Sequence, residues 1–388
     1  MISFVDRYLK FIHKSPTPYH AISQIKNHLI KRGFTEIKKE YSKEPGKYFI
    51  INDYTMIVAF TIPQNSNKLR IIATHCDSPA LKLKPKFRYS SGNLNMARVR
   101  PYGGGLWHTW FDRPLGVAGL IVDTDLKHRL VQTDVPAVII PSLAIHLSDR
   151  SDSFKYNKEI HLNGILTTNN LFDESKILSH DLSLVEMEAP VKSGDLMFAG
   201  RQDNLSSTFC AIEALEEGED INVVAVFDSE EIGSETMTGA QSAAFKRILE
   251  RITGSSLDKI KSFIISADAA HGKHPNYPEK SEAFHDVELG GGVVIKISNK
   301  YATTAVSSAI IKKLMLDNKL KYQEFVLKND MAGGSTIGPM LSSGLGIRCI
   351  DLGIPLLGMH SVKEISSVTD LEELFELFNL FYKSKLEF

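Results

Sequence analysis

The chain has 388 residues, of which 43% are hydrophobic and 23% charged, and its formal net charge is −1. This composition is typical of a folded protein with two domains or one domain carrying a large insertion, and the near-neutral charge argues against a general basic field for nucleic acid. Three cysteines without a CxxC pair exclude a disulfide framework and favour a reducing compartment.

The first 84 residues predict two helices and then three strands. The opening "MISFVDRYLKFIHKS" places charged residues inside an apolar pattern, which indicates an amphipathic helix and argues against a signal peptide. A second helical pattern ends near Gly33. The strands are predicted in "KYFIIN", "TMIVAFTI" and "LRIIATHC". Because no run of 18 apolar residues occurs, no transmembrane helix is predicted, and we expect a cytoplasmic protein that binds no membrane.

The pattern changes between residues 85 and 195. Short β-like runs such as "GVAGLIVD" and "AVIIP" alternate there with Pro and Gly. The basic run "KLKPKFR", just at the start of this region, is interpreted as a solvated loop. We predict an inserted, mainly β domain at residues 85–195 that divides a catalytic domain into two parts, residues 1–84 and 196–388.

From residue 196 onward, helical and strand-like segments alternate. The helices are predicted in "SSTFCAIEALEEG", "AQSAAFKRILERI", "TTAVSSAIIKKLMLDN" and "LEELFELFNLFYKS", and the strands in "INVVAVFD", "SFIISADAA", "VVIKIS" and "IRCIDLG". Such alternation predicts an α/β fold with a mixed central sheet flanked by helices on both faces.

Polar clusters follow several of these strands. "VFDSEEIGS" carries two adjacent glutamates, Glu230 and Glu231, where a buried strand ends. Like charges repel, and burial increases the penalty, so solvent, a basic partner or a metal should compensate them. The other clusters supply His75 and Asp77, Asp203, Asp268 with His271 and His274, and His360.

In open α/β sheets the ligand lies at the carboxyl ends of the strands, so these clusters are expected to converge. A lone histidine after a strand is more often structural than a ligand, and a pair of glutamates is usually solvated. Together, however, they form the nitrogen and oxygen ligand set that zinc, cobalt and manganese accept.

The "THCDSP" segment adds a further expectation. In an extended chain His75 and Asp77 point to the same side, so Asp77 can accept a hydrogen bond from the imidazole nitrogen that does not face the metal. Cys76 then points away and is interpreted as a core residue.

In this order, these residues resemble the aspartyl aminopeptidase family of co-catalytic zinc metallopeptidases. The resemblance extends from "SPTPYHA" near the start to "GMHS" near the end. It also includes four longer motifs, "YGGGLWHTWFDR", "PSLAIHLSDR", "KYATTAVS" and "NDMAGGSTIGP", of which the first two lie in the predicted insertion.

The resemblance implies a site for two divalent metal ions per subunit, with zinc favoured and cobalt or manganese as alternatives. Asp203 would bridge the ions, His75 and Asp268 would complete one coordination sphere, and Glu231 and His360 the other. Paired metals roughly 3.5–4 Å apart need such a bridge, and they lower the pKa of a bound water towards about 7.

Further roles are implied for residues around the metals. Glu230 would be the general base, and His146 would reach into the site from a neighbouring subunit to stabilise the oxyanion. His271 and His274 would line the pocket. Lys296 matches a position linked to binding an acidic N-terminal side chain, although composition alone favours a solvated lysine there.

Two positions depart from the family pattern without touching a proposed ligand. Pro114 stands where the family usually shows an acidic residue, and Ala269 stands where a methionine is common. Pro114 removes a backbone donor, so it affects the expected local shape near Arg113.

The resulting expectation is an aminopeptidase that removes single N-terminal residues, preferably acidic ones, from peptides. A two-zinc enzyme with a preference for neutral residues, or a related deacylase, is the alternative, and a non-catalytic scaffold is a third interpretation. The family further implies a homo-oligomer, in which dimers formed through the insertion assemble into a tetrahedral dodecamer.

Overall fold

The computed structural model describes residues 2–38, 44–148, 153–168, 171–254 and 257–386. Within these ranges the chain forms seven α-helices and 21 strands. The helices are α1 (Phe4–His13), α2 (Pro18–Lys31), α3 (Gln202–Ala214), α4 (Ala243–Thr253), α5 (Ala305–Asp317), α6 (Gly338–Leu345) and α7 (Val368–Lys383). The strands are β1 (Thr35–Glu36), β2 (Gly46–Asn52), β3 (Met56–Ile62), β4 (Leu69–His75), β5 (Ala80–Ser91), β6 (Leu94–Tyr102), β7 (Leu115–Asp123), β8 (His128–Gln132), β9 (Val138–Ile139), β10 (Gly164–Leu166), β11 (Ile177–Glu186), β12 (Val191–Ser193), β13 (Leu196–Ala199), β14 (Ile221–Phe227), β15 (Phe263–Ala267), β16 (Ala270–His271), β17 (Val293–Ile297), β18 (Tyr322–Val326), β19 (Arg348–Gly353), β20 (Pro355–Leu356) and β21 (Glu364–Ser367).

A nine-stranded mixed sheet forms the centre of the main domain. Its strand order is β1-β2-β3-β14-β4-β15-β19-β17-β18. The four central strands, β14, β4, β15 and β19, run parallel to one another. Their carboxyl ends therefore meet at one edge of the sheet, which is where parallel α/β sheets place their ligands.

Helices cover both faces of this sheet and bury its apolar side chains. In β4, Ile72 packs into one core together with α1, α2, α3, α5 and α7, whereas Ile71 and Ala73 pack into a second core with α4 and α6. Every residue of β4 is buried. The uninterrupted apolar pattern of this strand is thus explained by burial on both faces. Cys76 belongs to the first core, as predicted.

The inserted region forms a separate β-sheet that closes on itself. Its strand order is β11-β5-β6-β10-β9-β7-β8, and β11 also pairs with β7, so the sheet becomes a barrel with β8 outside the closure. All of these pairings are antiparallel. The barrel has its own core, in which Trp107 and Trp110 are the largest side chains.

The predicted α/β fold with a β insertion is confirmed, and most of the predicted elements are present. The predicted boundaries at 84/85 and 195/196 stay predictions; β5, the first barrel strand, begins at Ala80. The prediction of a solvated loop for "KLKPKFR" is wrong. That run lies within β5, where Leu83 and Phe87 pack into the barrel core and basic side chains alternate with them.

Among the elements that the sequence patterns did not predict are one helix and one edge strand of the main domain. Helix α6 begins with Gly338 and Pro339 and contains two serines, so its helix propensity is low. Strand β18 lies at the sheet edge and is only half-buried, which weakens its apolar pattern. Among the described residues, none of the helices combines the length and hydropathy that crossing a membrane requires.

Candidate active site

The parallel strands bring three of the polar clusters to one edge of the sheet. β4 lies between β14 and β15, and its last residue, His75, is in register with Phe227 at the end of β14. Asp268 follows the last residue of β15 directly. Glu230 and Glu231 lie on a single 3-10 turn three residues after β14. Because the strands are parallel, these residues meet although they are far apart in sequence.

Two further residues reach the same edge from loops. Asp203 lies in the first turn of α3, where its backbone is not helical, and His360 lies beyond β20. Glu364 holds both in place: its Oε2 accepts from the backbone N–H of Asp203 at 3.1 Å, and its Oε1 accepts from the backbone N–H of His360 at 2.9 Å. Glu364 is buried, and the sequence patterns gave no signal for this role.

The converging side chains form two groups that share Asp203. His75 Nε2 lies 3.4 Å from Oδ1 of Asp203 and 3.4 Å from Oδ1 of Asp268. In the second group, His360 Nε2 lies 3.1 Å from Oδ2 of Asp203 and 3.2 Å from Oε1 of Glu231. Within each group the candidate ligand atoms all lie within 4.8 Å of one another.

These separations match those of ligands on a tetrahedral metal ion. Zinc lies about 2.0–2.1 Å from its nitrogen and oxygen ligands, so two ligands at the tetrahedral angle are roughly 3.3 Å apart. Asp203 turns one oxygen to each group. A carboxylate in this position has the geometry of a bridge between two ions.

Charge and hydrogen bonding at the site also fit metal ions. Burial raises the pKa of Glu230 to about 8 and that of Glu231 to about 7, and neighbouring carboxylates add to both shifts. Burial alone would lower the pKa of His360, but Asp203 and Glu231 raise it to about 12. The site therefore holds an excess of buried negative charge that favours cations.

Two buried oxygens at this site, Oδ1 of Asp203 and Oε1 of Glu231, accept no hydrogen bond from any of the described residues. Each lies beside a histidine Nε2 without the geometry of a hydrogen bond. Buried carboxylate oxygens without a partner are costly, and a metal ion would satisfy them. The residues present thus fit a pair of zinc ions.

Comparison with known proteins agrees with this geometry. The sequence profile described as "Aminopeptidase I zinc metalloprotease (M18)" matches residues 11–176 and 169–382. The chain belongs to the M18 family. It is a zinc metallo-aminopeptidase, and the resemblance inferred from its motifs is confirmed.

Proteins of known sequence or structure that resemble this M18 enzyme align with nearly its whole length. A Schizosaccharomyces pombe protein named aspartyl aminopeptidase 1 is 35% identical over 97% of this chain and 94% of its own length. The M18 aminopeptidase of Thermotoga maritima superposes with a TM-score of 0.89 at 25% identity, covering 98% of this chain and 96% of that one. The mApe1 dodecamer of S. cerevisiae gives 0.84 at 27% identity, covering 98% and 96%.

Asp77 organises the backbone of the glutamate pair in this M18 enzyme. Its Oδ1 accepts from the N–H of Glu230 and its Oδ2 from the N–H of Glu231, both at 3.1 Å. His75 Nδ1 lies 3.4 Å from Oδ1 of Asp77 and makes a hydrogen bond of 3.1 Å to the Asp77 backbone carbonyl oxygen, so the expected hydrogen bond to the carboxylate stays a prediction. Burial alone would raise the pKa of Asp77, but hydrogen bonds from His75, Tyr102 and the Glu231 N–H lower it below its usual range.

Lys296 lies beneath the first group of ligands. Its ammonium is buried and donates to Asp268 Oδ2 at 3.1 Å, to the Asp268 carbonyl at 3.1 Å and to the Ala269 carbonyl at 2.7 Å. These three acceptors match its three N–H groups. Direct contact with an acidic substrate would require one of these bonds to be exchanged, so that assignment stays a prediction.

A cavity of ≈ 390 Å³ opens beside the second group of ligands in the M18 fold. His271, His274 and His360 line it, together with Lys280 and Lys328. Lys296 is not among the described residues that line this cavity. Both histidines that the sequence assigned to the pocket are therefore found on its wall.

His146 lies outside both groups of ligands. It is on a short 3-10 turn, Ile145–Leu147, on the barrel, and its side chain is exposed. Leu143, Ile145 and Leu147 are 64%, 64% and 74% exposed around it. An apolar cluster this exposed is unusual for a surface that faces only water.

Proposed function

We propose that this M18 enzyme removes single N-terminal residues, preferably aspartate or glutamate, from peptides at a centre of two zinc ions. The observation that carries the proposal is the position of Asp203, whose two oxygens face two separate groups of ligands. A single-metal site would have no use for such a shared carboxylate. A relative named aspartyl aminopeptidase supports the acidic preference.

The ligand assignment follows the two groups. His75 and Asp268 would hold one ion, Glu231 and His360 the other, and Asp203 would contribute one oxygen to each. When bound, zinc would polarise the scissile carbonyl and lower the pKa of the attacking water. Cobalt or manganese would suit the same nitrogen and oxygen ligands.

Glu230 is proposed as the general base. It is adjacent to Glu231 on the same turn but belongs to neither group of ligands, so its carboxylate is available to a proton. It would accept the proton of the attacking water and donate it to the amine nitrogen that leaves. Asp77 would keep Glu230 in place through the backbone hydrogen bond.

The cavity beside His360 is proposed to take the side chain of the substrate's N-terminal residue. Lys328 already donates to the Glu279 carbonyl at 2.9 Å, whereas the Lys280 ammonium has no partner among the described residues. Glu282, also on the wall, is paired with His285 at 2.6 Å. A free cation on this wall would favour an acidic side chain, in addition to any role of Lys296.

The enzyme is further proposed to act as an oligomer, because the relative from S. cerevisiae is a dodecamer and the barrel exposes an apolar turn around His146. A neighbouring copy would cover that turn, and His146 would enter the neighbour's active site to stabilise the oxyanion. Enclosure in a large assembly would restrict the substrates to peptides.

The primary test is hydrolysis of aspartyl, glutamyl, alanyl and leucyl reporters by the purified full chain with zinc, cobalt or manganese. Aspartyl and glutamyl reporters are expected to give the highest kcat/KM, and chelation should abolish turnover. Highest activity on leucyl reporters would overturn the acidic preference but leave the aminopeptidase intact. Hydrolysis of acylated amines in place of free N-terminal residues would support a deacylase.

The pocket assignment is tested with Lys280→Met, with Lys273→Met as the matched control. Lys273 is a neighbouring lysine that pairs with Asp286 and does not line this cavity. A charged hydrogen bond is worth about 1.5–3 kcal/mol, so kcat/KM for acidic reporters should fall roughly ten- to a hundredfold. Alanyl reporters should be unaffected. Equal losses on acidic and neutral reporters would contradict the assignment.

The oligomer is tested by mixing two inactive variants, His146→Ala and Glu230→Gln. If His146 serves a neighbouring subunit, a mixed assembly contains sites with an intact Glu230 and an intact His146 from the other chain, and activity is regained. Each variant alone is the control. No recovery on mixing, or full activity in an isolated monomer, would refute the proposal.

A further inference from the structure

The barrel sends one loop into the active site of the main domain. This loop, Tyr102–Leu106, contains the "YGGGL" residues and follows directly from β6. It makes three hydrogen bonds at the candidate metal centre. Tyr102 Oη donates to Asp77 Oδ2 at 2.8 Å, Gly104 O accepts from His360 Nδ1 at 3.1 Å, and Leu106 N–H donates to His360 O at 2.9 Å.

The bond from Tyr102 fixes the carboxylate that supports both adjacent glutamates. Asp77 Oδ2 accepts from the Tyr102 hydroxyl and from the Glu231 N–H, and its Oδ1 accepts from the Glu230 N–H. Asp77 is completely buried. Without the Tyr102 hydroxyl, Oδ2 of Asp77 would lose one of its hydrogen-bond donors, and because the carboxylate is buried, water could not replace it.

The hydrogen bond to the Gly104 carbonyl determines which ring nitrogen of His360 carries the proton and which has a lone pair available for a metal ion. A backbone carbonyl accepts hydrogen bonds only, so Nδ1 of His360 must carry the proton. In the neutral ring Nε2 is then unprotonated, and this is the atom that faces Asp203 and Glu231. The loop thus selects the tautomer in which His360 can be a ligand.

Gly103 allows the loop to approach this closely. Its φ is +72°, and a Cβ at this position would lie 3.1 Å from Cβ of Glu231. Any side chain would push the loop away from the ligand or strain the backbone. The loop reaches the first group only indirectly, because Asp77 also lies 3.4 Å from Nδ1 of His75. Asp268 is instead supported by Lys296 of the main domain.

We propose that the Tyr102–Leu106 loop is a positioning device through which the inserted barrel sets the geometry of the second metal site, with Tyr102 as its principal side chain. The inference deepens the proposed function and rests on it for the identity of the bound ions. Tyr102 touches no ligand atom itself and acts through Asp77. The barrel is therefore part of the catalytic apparatus as well as a candidate surface for assembly.

The test compares Tyr102→Phe with Tyr19→Phe in the full-length protein. Tyr19, on α2, donates to Asp181 Oδ2 of β11 at 3.2 Å, so its loss also removes a tyrosine–aspartate bond between main domain and barrel. It contacts neither group of ligands. Zinc affinity is measured by competition with a chelator, the cobalt-substituted protein gives the visible spectrum of the site, and steady-state kinetics separate kcat from KM.

Losing a direct partner of a metal ligand usually costs about ten- to a hundredfold in affinity. Because Tyr102 acts through Asp77, Tyr102→Phe is expected to weaken the weaker of two zinc-binding steps by about tenfold, the lower end of that range. The cobalt spectrum should change and kcat should fall with little change in KM, whereas Tyr19→Phe should match the wild type in all three. Wild-type zinc affinity and spectrum in Tyr102→Phe would overturn the proposal. Equal effects of both variants would also overturn it, because they would indicate general loosening of the barrel.

A second pair of variants tests the loop without changing Asp77. Gly103→Ala and Gly92→Ala place the same methyl group at two glycines of positive φ, +72° and +61°, but only the first would meet another residue. Zinc affinity should fall in Gly103→Ala only. Thermal unfolding of the zinc-free proteins reports whether each variant is folded. If no variant or wild type hydrolyses peptides, the proposed function fails, while the zinc and cobalt measurements still decide the role of the loop.

Discussion

The two groups of proposed ligands share Asp203 but are supported by different parts of the molecule. His75 and Asp268 extend from adjacent parallel strands, and the side chain of His75 is only 1% exposed. His360 extends from a loop against the barrel, and its side chain is 29% exposed. The first group is thus part of a rigid, buried sheet edge, and the second is assembled from loops.

This difference suggests a division of roles. Strand ends fixed by backbone pairing hold ligands with little freedom, so the first group should bind an ion tightly. The second group depends on the barrel for the tautomer of His360 and for the setting of Glu231. Changes in the barrel should therefore affect mainly the binding of the second ion.

The largest effect is expected from changing Asp203, the residue that both groups of ligands share. Asp203→Asn takes the negative charge from the shared bridge, so both ions should be lost and turnover should fall by more than the roughly 10²–10⁴-fold of a missing general base. Metal content is measured on the purified protein by elemental analysis. Retention of two zinc ions per chain would show that Asp203 is not the bridge.

The second largest effects are expected from Glu230→Gln and Glu231→Gln, which should differ in whether the protein keeps its metal. Glu230→Gln should keep its metal but lose about 10²–10⁴ in kcat, because only the proton acceptor is gone. Glu231→Gln should lose the second ion and keep the first. Zinc content and kcat are measured side by side, and the reverse pattern would exchange the two assignments.

A smaller effect is expected at the first group from Lys296→Met. The change removes the ammonium that donates to Asp268 Oδ2, so affinity for the tighter ion and kcat/KM should fall about ten- to a hundredfold. Acidic and neutral reporters should be affected alike. Loss confined to aspartyl and glutamyl reporters would instead support the direct substrate contact that the family resemblance implied.

The smallest expected effect is a difference between the rates at which the two ions dissociate. During dialysis of the wild type against a chelator, the ion at the half-buried His360 should leave before the ion at the buried His75. Zinc content followed over time should show two phases, with activity lost in the first. A single phase removing both ions together would contradict the comparison.

The sequence predicted the buried group better than the loop-held one. Strand patterns before His75 and Asp268 are long and apolar, and parallel strands bring their ends together, so convergence followed from local pattern and one topological rule. Asp203 and His360 follow no such strand. They were expected to converge with the other clusters, but their roles as ligands came from the family resemblance, because no local pattern indicates where a loop returns.

What the sequence determined by itself is the chemistry and the class of fold. Two histidines and several carboxylates, after apolar strands or in nearby loops, predict a metal centre. Adjacent Glu230 and Glu231 require a compensating charge, and the β-rich segment predicts an insertion. These inferences depend on residue type and short-range periodicity, which a sequence displays directly.

What only the tertiary structure decided is which groups touch. The bond from Tyr102 to Asp77, the carbonyl of Gly104 on His360, and the three acceptors around the Lys296 ammonium all arise from contacts across elements distant in the chain. Such contacts are set by strand order, by the direction of each side chain and by the approach that a glycine allows, and none of these leaves a periodic mark in the sequence.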